Sequence, residues 1–98
     1  EKRLKKIDGI VSIARKGGFA VVGQDNLKGF SQKLFLILLD TTAGKSLQRE
    51  MTFLANKKNA EILEVENLAE KISIENCKVI GFKNKAISEN IIECLKGE

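Results

Sequence analysis

The run Leu34-Phe-Leu-Ile-Leu-Leu39 limits what this chain can fold into more than any other segment. It is far short of the roughly 20 apolar residues that cross a bilayer, and no longer apolar run occurs. Side chains of a β-strand alternate between opposite faces, so an unbroken run predicts a strand covered on both sides. In a chain of 98 residues that cover must come from helices packed on both faces of one small sheet.

The remaining segments supply them. Leu4, Ile7, Ile10, Val11 and Ala14 share one helical face, and Gly17-Gly18 ends that helix. Arg15 and Lys16 fall in its last turn, where the helix dipole favours cations. Phe19-Ala-Val-Val22 reads as a short strand, and Gly23 permits a tight turn into a helix from about Gln24 to Ser31. Leu47, Met51, Leu54 and Ala55 predict a helix from about Gly44 to Asn56. Ala60 to Val65 reads as a third strand. Asn67, with Glu70 three residues on, has the pattern of an N-cap and its capping-box acid, opening a short helix that ends near Ile72. Lys78 to Phe82 is a fourth strand, and Ile87, Ile91, Cys94 and Leu95 give a last amphipathic helix. No proline, linker or repeat divides the chain. The order predicts an α/β fold, a three-layer α/β/α sandwich around a small sheet, as one domain over residues 1–98.

Several kinds of chemistry are excluded at once. Without histidine there is no Ser-His-Asp triad, no Cys-His dyad and no histidine-ligated metal. Cys77 and Cys94 form no Cys-x-x-Cys and are too few for structural zinc. Both lie in apolar-patterned segments and read as buried thiols of a reducing cytosol. The N-terminus is charged, lacks Met and has no apolar signal core, so the chain is expected to be a processed form or part of a longer protein.

The net charge of +4 is unevenly placed. Residues 1–33 carry Lys2, Arg3, Lys5, Lys6, Arg15, Lys16, Lys28 and Lys33 against Glu1, Asp8 and Asp25, while residues 34–98 nearly balance. A basic first third suits an anionic partner, most simply a nucleic-acid backbone; the plainer alternative is a solvated helix face. The five Phe are spread singly and there is no Trp or Tyr, which argues against a stacking platform for single strands.

Ala43-Gly44-Lys45-Ser46 follows the strongest strand and precedes a helix, the context of a phosphate-binding loop of the form Gly-x-x-x-x-Gly-Lys-[Ser/Thr]. The first glycine of that pattern would be residue 39, which is Leu39. The segment therefore reads better as a helix start capped by Thr41 or Thr42, with Lys45 exposed. Lys45 and Arg49 are one turn apart and share a face that can meet a phosphate.

Ile13-Ala-Arg-Lys-Gly-Gly-Phe-Ala-Val-Val-Gly23 resembles the opening of the small bacterial YlxQ/YbxF-type proteins of the L-seven-Ae ribosomal-protein superfamily. The resemblance continues through the 34–39 strand, Glu64-Val-Glu-Asn-Leu-Ala-Glu70 and Glu75-Asn-Cys-Lys-Val-Ile-Gly81. It implies an α/β/α sandwich with a four-stranded mixed sheet and binding of kink-turn RNA. In that family the second helix opens on a Gly-x-Asn-Glu-x-x-Lys pattern that reads sheared G·A pairs. Here the segment is Gly23-Gln-Asp-Asn-Leu-Lys-Gly29. Registered on Gly23, Asp25 and Asn26 take the Asn and Glu positions and Gly29 replaces the Lys; registered on Lys28, Gln24 and Asp25 take them. A plainer account is an ordinary polar helix start, with Asp25 placed for the dipole. The resemblance implies a second contact in the loop after the fourth strand, Ile80-Gly-Phe-Lys-Asn-Lys85, where Phe82 would stack and Lys83 and Lys85 would grip phosphate. Phe82 as a core residue is the plainer account there.

These features lead to one expectation: a non-enzymatic, bacterial, cytoplasmic protein that binds structured, kink-turn-like or ribosomal RNA and associates with ribosomes. Its contacts would be Lys16, Gly23, Gln24, Asp25, Asn26, Lys28, the 41–45 loop with Lys45, and Phe82, Lys83 and Lys85. No cofactor, metal or membrane is expected. The alternative is a protein-interaction module on the same scaffold.

Overall fold

The computed structural model describes residues 2–96, with side chains from residue 7 to residue 96. The order is α1 (Lys2–Lys16), β1 (Ala20–Val22), α2 (Gln24–Lys28), β2 (Leu36–Asp40), α3 (Lys45–Lys58), β3 (Glu61–Val65), α4 (Leu68–Ile72), β4 (Val79–Phe82) and α5 (Lys85–Lys96). The side chains of Lys2, Arg3, Leu4, Lys5 and Lys6, which bear on the basic first third and the first helical face, lie outside the described residues. Among the described residues no helix is long and apolar enough to cross a membrane.

The sheet order is β1-β4-β2-β3. β4 runs antiparallel to both neighbours, pairing Ala20 with Phe82 and Leu36 with Phe82, whereas β2 and β3 are parallel, pairing Leu36 with Glu61. The sheet is thus mixed and four-stranded.

The apolar run in β2 divides by alternation between two cores. Leu36 and Leu38 pack with Ile7, Val11 and Ala14 of α1, Leu68 and Ile72 of α4 and Ile91 of α5. Ile37 and Leu39 pack on the other face with Leu27 of α2 and Met51 and Ala55 of α3. Five elements therefore clothe both faces, three on one side and two on the other. Gly81 lets α2 approach closely: a Cβ built there would lie 2.5 Å from Leu27 Cδ2.

Three local expectations are corrected. The strand starts at Leu36 and extends to Asp40, although Leu34 is still fully buried and Phe35 still donates its N–H to the Phe82 carbonyl. α2 stops at Lys28 because Gly29 takes the C-cap, its N–H turning back to the Asp25 carbonyl while the next N–H, that of Phe30, turns back to the Leu27 carbonyl. Asn67 makes no capping box: its backbone is left-handed, with φ +53°, and its side chain caps nothing.

Candidate functional site

Strand direction decides which loops meet. β1 ends where β4 begins, because the Gly23 N–H donates to the Val79 carbonyl at 3.1 Å. β2 ends there too, with the Asp40 N–H on the Lys78 carbonyl at 2.8 Å. The turn and helix at 23–28, the 41–45 loop and the 73–78 loop therefore converge at one end of the sheet. Between the first and the last of these, with Leu47 of α3 beside them, lies a groove of about 310 Å³, lined by Val22, Gly23, Gln24, Leu47, Ile74, Glu75, Asn76, Cys77, Lys78 and Val79. Apolar side chains and a thiol form part of its wall, and amides, Glu75 and Lys78 supply the polar groups.

Gly23 opens α2 with φ +90° and ψ +150°, a conformation almost confined to glycine. Its carbonyl accepts the Leu27 N–H at 3.1 Å, and the Asn26 amide nitrogen donates to the Val22 carbonyl at 2.7 Å. Asn26 thereby ties the helix to the strand. Its Oδ1 acceptor takes no part in that bond. Gln24 and Asp25 are exposed beside it.

Asp40 holds the neighbouring loops. One carboxylate oxygen accepts the Leu68 N–H at 2.8 Å. The other accepts the Thr42 N–H at 2.8 Å and the Thr42 hydroxyl. Lys78 Nζ stands 3.7 Å from it and donates to the Thr42 hydroxyl at 2.8 Å. Asp40 is 4% exposed. The Thr42 hydroxyl is the main cause that lowers its carboxyl to about 2, the Leu68 and Thr42 amides and Lys78 adding to it against the opposing effect of burial. Cys77 is shifted the other way: burial pushes its thiol up, and Sγ–H donates to the Val79 carbonyl at 3.2 Å.

The same hydrogen bonds decide the character of the 41–45 loop. The amides of Thr41, Thr42 and Ala43 are used within the protein, on the Val65 carbonyl, the Asp40 carboxylate and the Asp40 carbonyl. A phosphate-wrapping loop needs such amides turned outward. The residue at the helix cap is Gly44, with no side-chain cap, so the expectation that Thr41 or Thr42 caps α3 is corrected: Thr42 serves Asp40 instead. Lys45 is exposed at the start of α3, as expected.

The remaining expected contacts separate. Phe19 and Lys83 are joined by an N–H donated from Lys83 to the Phe19 carbonyl at 2.9 Å, at the opposite end of β1 and β4 from Gly23. Phe82 and Lys83 belong to that far end, and Lys16 and Lys85 lie close to Phe19 and Lys83 in sequence, away from Gly23. Phe82 is fully buried in the core, so it cannot stack on a nucleotide. Lys83 lies over the Phe30 ring at 5.7 Å. Lys28, the last residue of α2, pairs with Glu50 of α3 at 3.2 Å. Sequence reading missed Ile74, Asn76 and Lys78. The Asn76 turn residue was a usable signal, but nothing local showed that its loop faces Gly23. Cys77 is buried and Cys94 half-buried; both are free thiols.

No family model matches the chain, and no curated protein matches it. Solved structures do match, 38 chains in all. One of them, described as the structure of a protein with unknown function from Bacillus halodurans C, aligns over 93% of this chain and 97% of its own. Its TM-score is 0.76 at 17% identity, a likeness that shows the α/β fold alone.

Proposed function

We infer that the chain is a non-enzymatic RNA-binding protein that takes structured RNA at the sheet end formed by 23–28, 41–45 and 73–78. The observation that carries this reading is the Gly23 turn: a glycine-only backbone conformation that sets Gln24, Asp25 and Asn26 beside a groove. Gln24, Asp25 and Asn76 have the donors and acceptors to read base edges. Ile74 and Leu47 offer an apolar wall to an unstacked base. Lys45 and Lys78 are the cations for flanking phosphates. The polar set is mixed in charge, as suits selection among RNAs more than general attraction.

The resemblance of residues 13–23 to the L-seven-Ae superfamily supports a kink-turn or ribosomal RNA as the target. A bacterial cytoplasm, near ribosomes, is the matching setting, and two free thiols agree with a reducing compartment. The expected contact loop moves from 82–85 to 73–78.

The test is binding of a kink-turn RNA, and of the same RNA with its G·A pairs changed, at two salt concentrations. The expected result is tighter binding to the intact kink-turn and a linear fall of log K with log salt. No RNA binding at low salt would reject the reading and favour a protein-interaction surface.

A further inference from the structure

The outer face of α3 carries Phe53, 70% exposed, between two grooves. The larger, about 560 Å³, is lined by Lys45, Gln48, Arg49, Thr52, Phe53 and Asn56. The smaller, about 310 Å³, lies on its other side and includes Lys57 and the Lys28–Glu50 pair. Arg49 and Lys57 are each one helical turn from Phe53, and Lys45 is a further turn back, where α3 meets the sheet end described above.

We propose that this stripe binds a single-stranded RNA segment running on from the structured element, with one base stacked on Phe53 and its phosphates met by Lys45, Arg49 and Lys57. The proposal rests on the RNA-binding reading, which it extends along a helix that reading does not use. A lone exposed Phe is common on proteins; its surroundings distinguish this one. No acidic side chain lines the larger groove, and the one in the smaller, Glu50, is paired with Lys28, so Lys45, Arg49 and Lys57 give the ring a cationic setting that complements a phosphate strand. Successive cations along α3 are separated by about 6 Å of helix rise. A docking peptide helix would want several apolar anchors at helical spacing. Here Met51 is buried and Leu47 and Leu54 pack partly against the core, so Phe53 is the one large apolar side chain of α3 that stands exposed, with Leu54 and the paired Glu50 beside it in the smaller groove. One exposed ring takes one base, so Phe53 needs no platform of successive aromatics.

The chain has no Trp and no Tyr, so Phe53→Trp creates a sole fluorescent reporter that keeps an aromatic face. An unstructured oligouridylate of about ten nucleotides should quench that reporter to saturation. The labelled oligonucleotide should bind wild type and Phe53→Trp comparably and Phe53→Ala about tenfold more weakly. A kink-turn RNA with a single-stranded overhang should bind wild type more tightly than one without, and Phe53→Ala should abolish the difference. Equal oligonucleotide binding by wild type and Phe53→Ala would overturn the proposal, as would absence of quenching. So would displacement of the oligonucleotide by an equal concentration of polyglutamate, which would mark a surface for acidic peptides. Kink-turn binding that gains nothing from the overhang defeats this proposal and leaves the RNA reading of the sheet end intact. Phe53-dependent oligonucleotide binding without kink-turn binding keeps the stripe and rejects the sheet end.

Discussion

The carboxylate of Asp40 accepts the backbone N–H of Leu68 at 2.8 Å across 28 residues of sequence. The last residue of β2 thus caps the first residue of α4, the role that Asn67 leaves undone. Because the other carboxylate oxygen holds Thr42 and faces Lys78, one side chain braces the 41–43 loop, the start of α4 and the 73–78 loop together.

Asp40→Asn should destabilise the fold by about 1.5–3 kcal/mol, the range for hydrogen bonds to a charged group. An amide has one accepting oxygen where the carboxylate has two, so a Leu68 or Thr42 N–H loses its partner. Urea unfolding followed by circular dichroism measures the change. A midpoint equal to wild type would show that the brace contributes nothing.

Acid should reveal the same group. The Asp40 carboxyl is lowered from 3.8 to about 2 in the folded protein. A depressed folded value stabilises above the unfolded value, and that contribution is lost as pH falls through the folded value. Asp40 should therefore contribute on the order of 2–3 kcal/mol at neutral pH, declining between about pH 4 and pH 2. The stability gap between wild type and Asp40→Asn should narrow over that window in unfolding curves taken across it.

Gly23→Ala should cost about 1–3 kcal/mol through the backbone alone. A Cβ at this position meets nothing within 4 Å, so no clash contributes. The same variant should weaken RNA binding by displacing Gln24 and Asp25. Thermal unfolding and RNA titration together check both parts; a variant as stable as wild type would mean that the turn tolerates ordinary residues.

The two ends of the sheet should behave differently toward RNA. Lys45→Ala should weaken binding to intact and altered kink-turns alike and reduce the salt slope by roughly one. Gln24→Ala or Asp25→Ala should instead narrow the difference between the two RNAs, by about 1–3 kcal/mol for a lost base contact. Lys16→Ala, Lys83→Ala and Lys85→Ala, at the far end, should leave the discrimination unchanged. Discrimination that depends on Lys83 or Lys85 would place the interface at the wrong end of the sheet.

Cys77 should resist alkylation in the folded protein at mildly alkaline pH and react on unfolding. Burial raises its thiol pKa, and its S–H is held by the Val79 carbonyl. Mass mapping of iodoacetamide adducts, with and without denaturant, reads this directly.

What could be read from the sequence was local. The doubly buried β2, the helical face of α1 and the glycine-dependent turn at Gly23 each follow from spacing or from one residue's backbone freedom. What could not be read depends on how strands run past one another. Nothing near Lys83 shows that its loop lies beside Phe19 and away from Gly23; the antiparallel pairing of β1 with β4 decides that. The same holds for the Leu68 N–H on Asp40 and for Lys28 on Glu50, pairs made by groups distant in sequence. Asn67 misled because a capping pattern assumes an extended backbone at the cap, and this residue is left-handed.

Asp40 also answers a question of alignment during folding. A strand apolar on both faces has little in its own pattern to forbid sliding one position past its neighbours, since either set of side chains suits either core. Asp40 breaks that degeneracy. A slip that drew it inward would strip the carboxylate of Leu68, Thr42 and Lys78 and leave a buried charge without partners. A slip outward would leave the Leu68 N–H uncapped. The charge at the end of the central strand thus fixes the sliding position of the whole sheet, and with it the meeting of the three loops at that end.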